Sequence, residues 1–244
     1  MKARPRPVTL AVDIGATGIK LLCLDARGKP LGARVRVATP SPATPQAMLR
    51  AIAGALGGLP RYDRVSVGFP GVVERGVART AANLDRSWIG IDVARKIARL
   101  TGKPTHAAND ADVQGLSVVE GKGVELVLTL GTGVGSALFL DGRLVPNLEL
   151  GHHPWRDNKS YEDLLGDPAL KRVGLRIWTQ RLREAVATLR ATFQCRILYL
   201  GGGNARLLEG HWPKGIRVVD NVAGLLGGIR LWEPGRVQHP PRSS

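Results

Sequence analysis

Apolar residues recur along this chain with two periods. Short runs bounded by glycine, at 8–13 and 19–25, read as β strands, and the alternation over 31–37 fits a third. These open the chain as antiparallel hairpins. The proline-rich segment 39–45 cannot stay helical and connects to 46–56, where Met48, Leu49, Ile52, Ala53 and Leu56 fall at helical spacing behind a Thr44 cap and Pro45 at the first helical position. A buried strand at 65–69 ends in Pro70-Gly71, and a helix over 91–100 is stopped by Gly102 and Pro104. Further on, 105–108 is extended, a helical connection follows, and 126–137 is a strand, a glycine turn and a second strand. The clearest amphipathic helix spans 175–192, with its core stripe at Leu175, Trp178, Leu182, Val186 and Leu189. Residues 196–205 read as strand, glycine turn and helix start, and a last helix over 221–232 is capped by Asp220 and Asn221. Residues 1–7 form a loose basic lead-in and 233–244 a disordered tail. Hairpins followed by β-α-β order place the chain in the α/β class.

One unit occurs twice. An offset of 116 positions lays Gly15 on Gly131, Leu22 on Leu138, Leu24 on Leu140 and Asp25 on Asp141, so a strand-turn-strand motif heads each half of the chain. A period that long means two related domains, not a solenoid. The expected division is 1–108 and 109–244, with the last helix at about 221–232 returning to the first domain.

Composition narrows the partners. The 244 residues are 43% hydrophobic, enough for a sizeable core in one large or two modest domains. Lys plus Arg 35 against Asp plus Glu 20 leaves a formal charge of +15, which favours a polyanionic partner unless it is mere drift toward arginine. Cys23 and Cys195 lie in apolar strand-like runs, as buried free thiols of a reducing cytoplasm would. No run of about 18 apolar residues marks a membrane span, and no signal-peptide core is present.

The candidate chemistry gathers at strand ends. Asn109-Asp110-Ala111-Asp112 puts a carboxylate after one strand, and the glycines of 131–135 follow the next. Asn-Asp after a strand is commonly a helix cap, but a carboxylate beside a phosphate-cradling turn is the inventory of phosphoryl transfer. Residues 83–88 hold Asn83, Asp85, Ser87 and Trp88. Such a turn either binds a polyhydroxylated ligand, the indole packing on its apolar face, or is simply a loop, the reading the local pattern favours. Glu149, His152, His153, Trp155, Asp157, Glu162 and Asp163 form the most polar run. Adjacent histidines without a third soft ligand do not make a zinc site, whereas Gly151 lets Glu149 and His152 converge on a small polar ligand. Two familiar phosphate motifs are absent. There is no G-x-x-x-x-G-K-[ST], and the glycines of 131–135 run into a strand instead of the helix a dinucleotide fingerprint requires.

Taken in order, Asp13 to Lys20 (DIGATGIK), the Gly68-Phe69-Pro70-Gly71 turn, Asn109-Asp110-Ala111-Asp112, Leu130 to Gly135 (LGTGVG), Glu149-Leu150-Gly151-His152 and Gly201-Gly202-Gly203 resemble the motif set of the ROK sugar kinases. The segments 81–88 and 145–152 look most like the polyphosphate glucokinase branch. The resemblance spans nearly the whole chain. It implies an actin-like (ribonuclease H-like) two-domain fold and a hexose kinase that phosphorylates the 6-hydroxyl of glucose or a related hexose from polyphosphate, ATP or both. It also implies residue roles. Asp110 matches the general base; Asn83, Asn109, Glu149 and His152 match sugar ligands, and a looser alignment adds Glu162. Asp13, Gly15, Thr17, Gly18 and Lys20 match the first phosphate motif; Gly131, Thr132 and Gly133 the second; Gly201, Gly202 and Gly203 the nucleotide-side loop. Mg2+ would arrive with the donor, with Asp13 reaching it through water, and a homodimer is the family's common assembly.

The departures are informative too. Many ROK proteins carry a cysteine-rich zinc motif after the Gly-His pair; residues 153–167 contain no cysteine, so zinc does not carry over. Seven residues before the first strand leave no room for the DNA-binding helices of ROK repressors, and Ala16 stands where a glycine is usual. The competing reading, a basic nucleic-acid-binding or non-catalytic relative, calls for interleaved aromatic and basic residues, and the chain is only 5% aromatic.

Overall fold

The computed structural model describes residues 7–219 and 223–236. Residues 1–6 of the lead-in, the proposed cap Asp220-Asn221 and residues 237–244 of the tail lie outside the described residues, whereas 233–236, expected to be disordered, are placed, with Leu144 N–H donating to Arg236 O at 2.9 Å. In chain order the first half contains β1 (Thr9–Ile14), β2 (Gly18–Leu24), β3 (Val35–Ala38), α1 (Pro45–Leu56), β4 (Arg64–Phe69), the small hairpin β5 (Val73–Glu74) and β6 (Val77–Ala78), α2 (Val93–Thr101) and β7 (Thr105–Asn109). Helix α3 (Asp110–Val118) follows. The second half contains β8 (Val124–Leu130), β9 (Val134–Leu140), β10 (Arg143–Val145), the ribbon β11 (Pro154–Arg156) and β12 (Lys159–Ser160), α4 (Tyr161–Leu165), α5 (Asp167–Phe193), β13 (Ile197–Gly201), β14 (Ile216–Val218) and α6 (Ala223–Leu226).

The two five-stranded sheets are built alike. One runs β3-β2-β1-β4-β7 and the other β10-β9-β8-β13-β14, each with an antiparallel hairpin joined to parallel strands. The duplicated unit is β1-turn-β2 in the first and β8-turn-β9 in the second. Strand alternation sets the layers. Leu10, Val12 and Ile14 face α1 and α2, packing with Met48, Ile52, Val93 and Ile97, while Leu126, Leu128 and Leu130 face α4 and α5. The opposite faces meet the helices between the sheets: Ala11, Leu22 and Leu24 pack on Leu225, and Val127 on Val113 and Leu116 of α3. The central packing is close. A Cβ on Gly115 of α3 would lie 2.6 Å from the Phe139 ring of β9. The last segment reaches the first sheet, where Ser66 Oγ donates to Gly228 O at 2.5 Å and Trp232 Nε1 donates to Ser66 Oγ at 2.9 Å.

Local chemistry explains most boundaries. Thr44 accepts from the Ala47 N–H with Pro45 at the first position of α1, Asp92 caps α2, and Gly102 ends α2 in the left-handed region. Four expectations change. The third strand covers only Val35–Ala38; ahead of it the chain touches β2 just at the Leu24–Pro30 bridge and the Leu31 N–H to Cys23 O bond, in a register that differs from that of Val35–Ala38. Ala53 is exposed, so the buried stripe of α1 is Met48 and Ile52. Gly174 (φ 77°) breaks the run 167–193, so Leu175 starts a new turn and is 44% exposed, while Trp178, Leu182, Val186 and Leu189 are core. After Gly203 the chain makes only a 3-10 turn to Leu207, and the last helix changes to 3-10 geometry at Gly227–Trp232.

Candidate active site

Both glycine turns and the start of α3 open on one cleft of about 360 Å³ between the sheets. At the end of β1 the first turn closes with Gly15 N–H donating to Gly18 O at 3.1 Å, and Thr39 Oγ1 donates to Gly15 O at 2.6 Å. Lys20 crosses from β2 to Asp13, Nζ to Oδ2 at 2.7 Å. At the end of β8 the second turn closes in the same way, Gly131 N–H to Gly133 O at 3.0 Å, and the first residue of α5 donates its N–H to Gly131 O.

The carboxylate between them is held by its own helix. Asn109 Oδ1 caps α3, accepting from Ala111 N–H at 2.8 Å and Asp112 N–H at 3.3 Å, which places Asp110 in the first turn. The Asn109 amide donates to Gly71 O at 3.1 Å and Glu149 Oε1 at 3.3 Å. Every hydrogen-bonding group of that side chain therefore has a protein partner. Gly68 is the next-to-last residue of β4, where a Cβ would stand 3.4 Å from Asp110 Cα and 3.8 Å from Asp13 Oδ1. A side chain there would wedge into the space beside both carboxylates. Asp110 is pushed up to about 7, first by burial, then by the negative charge of Asp13, with Glu149 adding to it against the Ala111 N–H bond. Such a carboxyl is poised to exchange a proton near neutral pH.

Glu149 sits in the cleft wall with its Oε2 3.3 Å from His152 Nδ1. Burial raises its pKa, His152 opposes the rise, and Glu162 adds repulsion. Glu162 also accepts the Val134 N–H at 3.0 Å, tying α4 to the second glycine turn. Gly151 serves this site through close approach to Val134 O, where a Cβ would collide, and not through an unusual turn conformation. Ser136 fixes the loop, its Oγ donating to Leu148 O at 2.5 Å and accepting from Leu150 N–H at 3.1 Å.

Of the residues singled out in the sequence, Asp13, Gly15, Thr17, Gly18, Lys20, Asn83, Asn109, Asp110, Gly131, Thr132, Gly133, Glu149, His152, Glu162, Gly202 and Gly203 all border this cleft. Gly201 does not; it is the buried last residue of β13. Trp88 is no ligand platform, being fully buried edge-to-face on Phe69 with Nε1 donating to Ala43 O. Asn83 alone of that loop reaches the cleft, in the left-handed region at φ 60°. Asp112 and Gln114 carried no role in the sequence and are buried beside Asp110. Asp112 is held well above the usual carboxylate range by burial, and its Oδ1, like Gln114 Nε2, has no hydrogen-bond partner among the described residues. Only their spacing on α3 could have pointed to them.

Among the described residues no group of three or more His, Cys, Asp or Glu side chains could hold a metal ion, and no helix is long and apolar enough to cross a membrane.

The sequence model of the ROK family matches residues 9–161. The chain belongs to the ROK family. A polyphosphate glucokinase of Mycobacterium tuberculosis (strain H37Rv) is 34% identical over 233 residues, covering 88% of each chain. The inorganic polyphosphate/ATP-glucomannokinase of Arthrobacter sp. strain KM superposes with a TM-score of 0.83 at 34% identity, over 92% of this chain and 98% of that one. A ROK family glucokinase of Streptomyces griseus, solved with glucose and AMPPNP, shares the fold at TM-score 0.74 and 22% identity, over 92% and 98%. The α/β architecture is thus the actin-like one of the ROK sugar kinases, with its duplicated strand-turn-strand units facing the cleft.

Proposed function

We propose that this chain is a hexose kinase that moves a phosphoryl group from inorganic polyphosphate or ATP to the 6-hydroxyl of glucose or a related hexose. The observation that carries it is Asp110, an enclosed carboxyl pushed up to about 7 at the point where two glycine turns face each other. The names of the ROK relatives support the same reading. The sugar lies against Asn83, Asn109, Glu149 and His152, its 6-hydroxyl on Asp110. A hydroxyl entering between Glu149 and Asn109 takes over their 3.3 Å bond. Glu162 sets the second turn and borders the same space.

As the sugar oxygen bonds to phosphorus, its proton passes to Asp110 and the bond to the donor's remaining phosphates breaks, leaving a chain or nucleotide shorter by one phosphoryl group. This chemistry depends on positioning and charge neutralisation. The glycine turns beginning at Gly15 and Gly131 line the donor's side of the cleft, and Lys20 adds a cation tethered to Asp13. Gly202 and Gly203 border the cleft from β13. The donor set suits Mg2+, a hard cation that keeps waters and takes few carboxylates: Asp13 supplies one at the phosphate turn. Held there by Asp13 through water, Mg2+ would supply charge neutralisation for the donor phosphates. The protein works in the cytoplasm, with buried free thiols at Cys23 and Cys195.

A coupled assay of glucose phosphorylation with polyphosphate and with ATP tests this reading; turnover with neither donor removes it. Alanine at Glu149 or His152 should weaken sugar binding by about 1–3 kcal/mol, the penalty for stranding polar partners, with little change in melting temperature. A collapse in melting temperature with normal sugar affinity would assign both residues to loop anchoring instead.

A further inference from the structure

We infer that Lys20, Arg36 and Arg34 form a track that leads the trailing phosphates of a polyphosphate donor out of the cleft across the edge of the first sheet. The inference rests on the polyphosphate reading above. Strand pairing places Gly68 beside Asp13, Asp13 beside Lys20, and Lys20 beside Arg36, so one cross-strand row runs from the flank of Asp110 to the sheet edge. Neighbours in such a row are about 4.8 Å apart, and Arg34, just ahead of β3, borders the same cleft as Arg36. Arg36 leans over the first phosphate turn: a Cβ on Gly18 would stand 2.8 Å from its Nε, and its Nη2 is 3.5 Å from Thr17 O.

Charge is segregated within the cleft. Among the described residues Lys20, Arg34 and Arg36 are its only Lys or Arg residues, and apart from Asp13 its acidic residues are Asp110, Glu149 and Glu162. Lys20 is matched by Asp13; Arg34 and Arg36 are exposed and make no ion pair among the described residues. Guanidinium groups bind phosphate oxygens bidentately, and two in file beyond the reacting phosphate suit a linear chain carrying charge on every unit. A nucleoside triphosphate has no charge left past its third phosphate. Charged residues on an edge strand also discourage edge-to-edge pairing, but that role alone makes no demand on donor length.

The test is an R34Q/R36Q double variant assayed with narrow polyphosphate fractions, from tripolyphosphate to chains of many tens of units, with calorimetric binding of the same fractions. In the wild type, affinity should rise with chain length. In the variant that dependence should flatten, KM for long chains rising roughly tenfold and KM for tripolyphosphate much less, with the long-chain effect shrinking in salt. An R206Q control removes an exposed arginine next to the third glycine segment but off the cleft wall. Wild-type length dependence in R34Q/R36Q, or its loss in R206Q instead, overturns the track. If the wild type turns over ATP but no polyphosphate, the donor reading fails, and calorimetry decides the track alone. Long chains bound by the wild type and released by R34Q/R36Q keep it as a polyanion site; no binding to the wild type overturns it.

Discussion

Asp110→Asn should bind glucose with near-normal affinity and lose turnover by roughly 10²- to 10⁴-fold, the span of general-base catalysis. An amide keeps the size of the carboxylate and can still accept the Ala111 N–H bond that orients it, but it cannot take the proton of the 6-hydroxyl. The pH profile separates this loss from a positional one. The active form of Asp110 is the carboxylate, and burial together with Asp13 and Glu149 raises its pKa to about 7. The kcat/KM of the wild type should therefore climb as pH rises through about 7, because the base is progressively freed of its proton. A cation at Asp13 favours the carboxylate and moves this limb to lower pH. The residual activity of the Asn variant should lack the limb. Calorimetry with glucose and a coupled assay from about pH 5 to 9 measure both. A variant with near-wild-type rate, or one that keeps the limb, would take Asp110 out of the base role.

Gly202→Ala should be strongly damaging although it adds only a single methyl group. Gly202 has φ 86°, and an added Cβ would meet three backbone atoms of Leu130, the carbonyl carbon at 2.8 Å and the other two closer. Neither side can yield, since Leu130 ends the central strand β8 and Gly202 follows its parallel neighbour β13. Conformational strain and backbone overlap together cost about 3 kcal/mol or more, which in a chain of this size lowers the melting temperature by about 6–12 °C. Whatever folds should bind the donor poorly, because Leu130 leads directly into the second phosphate turn. Gly131→Ala is the internal contrast. No atom lies within 4 Å of its would-be Cβ and its φ is not positive, so its melting temperature should move by no more than about 2 °C. Equal losses from the two substitutions would mean that space, as read from the backbone, does not control this loop.

The sequence alone determined the elements that local rules govern. Glycine-bounded apolar runs marked β1 and β8, Thr44-Pro45 bounded the start of α1 and Gly102 the end of α2, and the offset of Gly15 onto Gly131 disclosed two sheets of one plan. The motif order placed Asp110 after a strand and ahead of a glycine turn, since capping and turn chemistry are written in neighbouring residues. Tertiary structure decided what depends on distant partners. Trp88 lies among loop residues in the chain, and only the packing of Phe69 and the Ala43 carbonyl around it makes it core. The alternation of 31–37 did not reveal that continuous pairing begins only at Val35, because register depends on the partner strand β2. Nothing near Asp110 in sequence announces a pKa near 7, because its cause is burial by, and repulsion from, Asp13 and Glu149 brought from either side. Arg34 and Arg36 read as two more arginines in a basic chain until the register of β2 and β3 sets Arg36 beside Lys20. A carboxylate's proton affinity and a cation's reach are fixed by charges a few ångströms away, and those distances arise only when strands far apart in the chain pair into sheets.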